Sequence, residues 1–265
     1  MMNRLLRAGT AIAVLAGCSA AAAQTSTNAP APSVAAKTAG VQTFVRFDRD
    51  SRKPINLGEA GHFVILSAAG ITDVPPSPVV GNVGTSPITG AADHLTCAEV
   101  TGIVDSVDAA GPAPCSLVAP TILTKAVGNM QTAYTNAAAR RPNITGLKRG
   151  DIGGLTLAPG VYKWSTDVDI AKDLVLKGDT ESVWIFQIAQ NLNLTDGTAV
   201  LLRGHALPQN VFWQVAGTVN MGSSSHMEGV ILSKTMITMN TGASIHGRLY
   251  SQTAIVLEMN HVTSP

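Results

Sequence analysis

From Gly150 onward, apolar and polar positions alternate in short runs closed by Gly or Asn. The runs read GLTLAPGVYKW, SVWIFQIAQNLNL, NVFWQVAGTVNM, GVILSKTMITM and GRLYSQTAIVLEM. A period of two over four to eight residues is the pattern of a strand with one buried face. Several such runs in succession predict an all-β fold. One stretch keeps a different period. Residues 120–140, PTILTKAVGNMQTAYTNAAAR, place Ile122, Leu123, Ala126, Val127, Met130 and Tyr134 at helical spacing. Pro120 suits a first helical turn and Pro142 stops the helix. Its apolar stripe reads as a packing face with no chemistry of its own.

The β-rich part repeats. MGSSSHMEG at 221–229 returns eighteen residues later as MNTGASIHG at 239–247. Ser223 then falls on Thr241, Ser225 on Ala243, Met227 on Ile245 and Gly229 on Gly247. A third copy, LTDGTAVLL, starts at Leu194, with GHALPQN as an extra loop before the next copy. The strands that lead into each patch align as well. Near-equal repeats of this length predict a solenoid in which each copy is one coil. Coils stack at about 4.7–4.9 Å, so equivalent residues stand in columns. A β-sandwich is the other architecture that this texture allows.

The N-terminus changes the picture of where the chain goes. Arg4 and Arg7 precede a short apolar core, Ala8 to Gly17, too short to span a bilayer. It reads as an export signal. Two cleavage readings stay open: LAGC, Leu15 to Cys18, resembles a lipobox that leaves Cys18 lipidated, and AAA before Gln24 resembles an ordinary cleavage site. Residues 1–23 are thus assigned to the signal, 24–54 to a polar, Pro-containing linker, and 55–265 to the folded domain. Cys97 and Cys115 remain as an even pair, expected to be a disulfide in an oxidising compartment, with two free thiols as the other reading.

A net charge of +1 and 13% charged residues give no field for nucleic acid or an acidic partner. No P-loop, GxSxG, HExxH, EF-hand or calcium-repeat motif is present. Asp167 and Asp169 alternate in STDVDIAKD and read as a solvated strand edge. His226, Glu228 and His246 invite a metal but read as an accidental grouping. No metal, cofactor or catalytic residue is expected. NIT at Asn143 and NLT at Asn193 fit glycosylation sequons and read as incidental.

Longer blocks carry a resemblance. NLGEAGHFVILSAAGITDVPPS (56–77), GNVGTSPIT (81–89), GDIGGLTLAPGVYKW (150–164), SVWIFQIAQNL (182–192), NVFWQVAG (210–217) and MNTGASIHGRLYSQTAIVLEMN (239–260) occur in an order that resembles the DUF3494-type ice-binding proteins. The resemblance covers about residues 55–265. It implies a right-handed, discontinuous β-helix of triangular section with one long α-helix packed alongside. It also implies that the N-terminal segment stacks beside C-terminal coils and that Cys97 and Cys115 lie in a capping region.

The activity implied is adsorption of a monomer to ice, with no catalytic step, through a flat face whose spacing is close to that of ice oxygen rows. Carried onto this chain, the family's Thr-Ala/Gly-x-Thr/Asn patch falls on Thr241, Gly242, Ala243 and Ser244, with Ser223 and Ser225, then Thr195 and Thr198, in the preceding coils. Thr85 and Ser86 extend the face. His226 in the column of Ser244, Met236, and Glu228 beside His246 depart from a flat small-residue surface. An extracellular adhesin or glycan-binding module on the same fold is the alternative function. An enzyme on a β-helix is a weaker one, since clustered acids in a groove are lacking.

Overall fold

The computed structural model describes residues 53–265. The export signal, Cys18 and the linker up to residue 52 lie outside the described residues. Among the described residues the strands run parallel in three sheets wrapped around one interior, which excludes the sandwich.

The longest sheet has thirteen strands and the second has six. A three-stranded sheet, Thr156–Leu157, Leu174–Lys177 and Val200–Arg203, begins the third face. Two eight-residue strands, His226–Ser233 and Ser244–Ser251, run from the third face into the long sheet without a break. Gly229 and Gly247 sit where they turn, which explains why both repeat copies end in Gly. A β-carbon on Gly247 would stand 1.8 Å from the Gly229 carbonyl oxygen.

The stacking order is not the chain order. The C-terminal coils climb from Ile144–Thr145 to Ser244–Ser251, which pairs with Phe63–Ser67 from the N-terminal segment. Ile255–Glu258 likewise pairs with Ile71–Val74, and His261–Thr263 with Val79–Val80. Beyond this seam Asn82–Thr85, Val104–Ser106 and Ser116–Val118 continue the long sheet outward. The disulfide Cys97–Cys115, with Cα atoms 5.5 Å apart, closes this end. Closing a loop of that length stabilises by about 3 kcal/mol in the chain-entropy model.

The helix Pro120–Ala139 returns the chain from one end of the solenoid to the other. It lies on the outer side of the long sheet and buries Leu123, Ala126, Met130, Ala133 and Ala137 against Phe63, Leu66, Ile185, Phe212 and Val230. The apolar stripe expected from the sequence is corrected at two points. Ile122 is exposed, and the small residues Ala133 and Ala137 belong to the contact because the helix approaches the sheet closely. Gln187 reaches out from the sheet and donates to the Ala137 and Arg140 carbonyls at 2.8 and 2.7 Å, satisfying acceptors that a helix end leaves open. Inside the solenoid, Tyr162, Phe186 and Trp213 stack in register, with the Phe186 and Trp213 rings 4.1 Å apart.

Candidate functional site

Each face turns one set of side chains inward and the alternate set outward. On four strands of the second sheet the inward positions are apolar: Val168 and Ile170, Leu192 and Leu194, Val219 and Met221, and Ile237 and Met239. Pairing in strict register aligns the outward positions into one row: Asp169, Asn193, Asn220, Thr238, Val256 and Thr72. Six strands at about 4.8 Å make this row about 24 Å long. Its last member comes from the N-terminal segment, so the face is assembled from both ends of the chain.

The row has two characters. At one end the amides are tied to each other: Asn193 Nδ2 donates to Asp169 Oδ1 at 2.9 Å, and Asn220 Nδ2 to Asn193 Oδ1 at 3.0 Å. Toward the seam stand the β-branched Thr238, Val256 and Thr72, whose methyls and hydroxyls face outward. A parallel row at the entry to the sheet is Gly217, Thr235 and Thr253. The Thr235 hydroxyl is fixed on the Gly217 carbonyl.

The repeated patch read from the sequence falls elsewhere. Residues 195–198, 222–225 and 240–243 are the tight turns between the second and third faces. Thr195, Thr241 and Gly242 are exposed there, and Ser223 and Ser244 are half-buried. Thr198, Ser225 and Ala243 are corrected: they are 7%, 0% and 0% exposed and cannot form part of an outer surface. The Thr198 hydroxyl turns back to the Thr195 and Ile170 carbonyls at 2.7 and 3.2 Å. Thr85 and Ser86 are corrected too. They are buried at the end of a long-sheet strand, with Thr85 in register with Ser67.

The third face carries the bulkier departures. His226 pairs with Ser244 and Glu228 with His246 in register. The two imidazoles bracket the Glu228 carboxylate at 3.3 and 3.2 Å, and His226 Nδ1 meets Ser244 Oγ at 2.8 Å. Among the described residues no group of His, Cys, Asp and Glu is arranged to hold a metal ion. Asp167 and Asp169 each bind the next coil: the Asn191 N–H donates to Asp167 at 2.8 Å, and the Asn193 amide holds Asp169. Asn143 is exposed, and its side-chain oxygen accepts the Val161 N–H at 2.9 Å. Met236 is 39% exposed at the entry corner of the second sheet.

Sequence reasoning missed the outward row because it does not repeat in residue identity. The available signal was alternation: each of 169, 193, 220 and 238 is the polar centre of an apolar triplet.

A family model described as ice-binding-like matches residues 65–263. An ice-binding protein of Colwellia sp is 54% identical over 212 residues, covering 80% of this chain and 84% of that protein. One from Leucosporidium sp. (strain AY30) is 38% identical, covering 86% of this chain and 89% of the other. A solved structure of an ice-binding protein from an Arctic yeast, described for its antifreeze activity, superposes with a TM-score of 0.75. It has 37% identity and covers 82% of this chain and 96% of its own.

Proposed function

We propose that this chain, which belongs to the ice-binding-like family, adsorbs to ice through the outward face of its second sheet and so inhibits ice growth and recrystallisation. One observation carries the choice of face. The second sheet is in register over six strands and lined outward by Asp169, Asn193, Asn220, Thr238, Val256 and Thr72, with no helix over it among the described residues. The long sheet is roofed by the helix, and the third face presents His226, His246, His261, Lys177 and Arg203.

The geometry supports adsorption without chemistry. Every coil is pinned by backbone hydrogen bonds to its neighbours, so the face moves as a unit. Thr238, Val256 and Thr72 have restricted χ1 rotamers, and the Asn193 and Asn220 amides are held by their ladder. Little side-chain entropy is lost when ordered water or ice meets such a surface. Thr195, Thr241 and Gly242 form the rim, where the sheet turns to the third face. The protein acts as a monomer with no cofactor, and its partner is the ice surface. The basic and apolar start of the chain supports export, either free or anchored through Cys18. Relatives named as ice-binding proteins support this reading.

Thr238→Tyr tests it. A ring in the middle of the row should abolish most thermal hysteresis and recrystallisation inhibition while circular dichroism stays unchanged. Full activity in a folded Thr238→Tyr protein would move the ice contact to another face.

A further inference from the structure

The N-terminal coil brings together three carboxyl groups, Asp73, Asp93 and Glu99, and Asp73 stands where the neighbouring coils hold aliphatic side chains. Asp73 points inward from Ile71–Val74, in register with Leu257. Further along that inward column stand Met239, Met221, Leu194 and Ile170. Both carboxyl oxygens of Asp73 are shut off from solvent and have no hydrogen-bond partner in good geometry. Glu99, only 8% exposed, lies beside it. The Glu99 oxygens are already taken: Oε1 accepts the Ser77 N–H at 2.8 Å, and Oε2 accepts the Thr96 N–H and hydroxyl at 2.8 and 2.6 Å. Asp93 is 6% exposed; its Oδ1 accepts the Leu95 N–H at 3.1 Å, and its Oδ2 is buried without a partner.

Among the described residues, no Lys, Arg or His acts on Asp73, Asp93 or Glu99. His94 is exposed, Glu258 is in register with Val74 and accepts the Thr241 hydroxyl, and Asn260 donates its N–H to the Ser77 hydroxyl at 3.1 Å. A buried carboxylate with neither donor nor counter-charge is costly, and it is relieved by keeping its proton. We propose that Asp73 keeps its proton and donates it to the Glu99 carboxylate, and that this shared proton latches Ile71–Val74, with Thr72, onto the end of the second sheet.

The electrostatics run the same way. Burial raises the Asp73 carboxyl, against the Ser77 hydroxyl and with help from the Glu99 charge. Burial also presses on Glu99, but the Thr96 and Ser77 donors hold it below its usual value. Burial pushes Asp93 up to about 6, opposed by the Leu95 N–H and aided by Asp73. A carboxyl raised on folding stabilises the fold at low pH and loses that contribution as pH rises through its folded value. The latch therefore holds in mild acid and weakens toward alkaline pH.

The consequence for Thr72 rests on the ice-face reading; the latch itself does not. Thermal melts with and without Asp73→Asn between about pH 5 and about pH 9 test it. Asp93, with its carboxyl pushed up to about 6, gives a slope of its own, so the comparison is made in an Asp93→Asn background. There the protein should still lose about 2–4 °C of Tm across this range, and adding Asp73→Asn should remove most of that loss, since an amide donates at any pH. A slope that survives intact when Asp73→Asn is added overturns the latch. If the double variant does not fold, hydrogen exchange in Asp93→Asn gives the answer, since Asp93 is bridged to Ile71 and would otherwise loosen the same segment. After correction for intrinsic rates, protection of the amides from Ile71 to Ser77, Pro75 and Pro76 aside, should fall with pH faster than at Val168–Ile170. An equal fall at both ends overturns it. Neither readout involves ice, so absence of ice activity would sink the proposed function and leave the latch standing.

Discussion

The long sheet and the second sheet are built by the same coils, from the same parallel pairing, around the same interior. They differ in what alternates outward. On the long sheet the outward side chains Ile185, Phe212, Val230 and Leu66 are apolar and large, and a helix covers them. On the second sheet they are Asp169, Asn193, Asn220, Thr238, Val256 and Thr72, and nothing among the described residues lies over them. A solenoid thus decides which face is roofed and which is open one residue per coil, with no change in backbone. The roof itself is matched to its floor: Ala126, Ala133 and Ala137 let the helix settle close to the sheet.

Substitutions of comparable kind should have very different costs on the two faces. Phe212→Ala removes a fully buried ring beneath the helix and should cost about 3–5 kcal/mol in denaturant unfolding. A cost under about 1 kcal/mol would mean that the helix contributes little to the fold. Asn220→Ala, on the open face, breaks the amide ladder to Asn193 and should cost about 1 kcal/mol. Val256→Ala, outward and half-buried, should stay within about 0.5 kcal/mol in the same measurement. If Val256→Ala proved as damaging as Phe212→Ala, the two faces would not differ as described.

Much of this was legible in the sequence. Helix bounds followed from Pro120 and a period that buries Leu123, Ala126 and Met130. The coils followed from the eighteen-residue recurrence, which the register Gly229 to Gly247 reproduces. The cysteine pair followed from simple counting. The site was less legible, for a physical reason. Sequence similarity between coils is strongest where the backbone is most demanding, at the turns 195–198, 222–225 and 240–243 and at the corner glycines. Those turn residues satisfy their own backbone, as Thr198 does, or pack inward, as Ser225 and Ala243 do. The open face asks only that its outward residues be compact and uncovered, so Asn220, Thr238 and Val256 share a row without sharing an identity. Thr72 joins that row from far away in the chain, across a seam that no repeat alignment reaches.

The most direct test compares the centre of the open face with its rim. Thermal hysteresis would be measured on Thr238→Tyr and Thr241→Tyr at matched concentration, with circular dichroism confirming both folds. Thr238→Tyr should lose most of the activity, and Thr241→Tyr, at the exposed turn, should keep most of it. Loss in Thr241→Tyr with full activity in Thr238→Tyr would contradict the account and place the ice contact on the corner ridge.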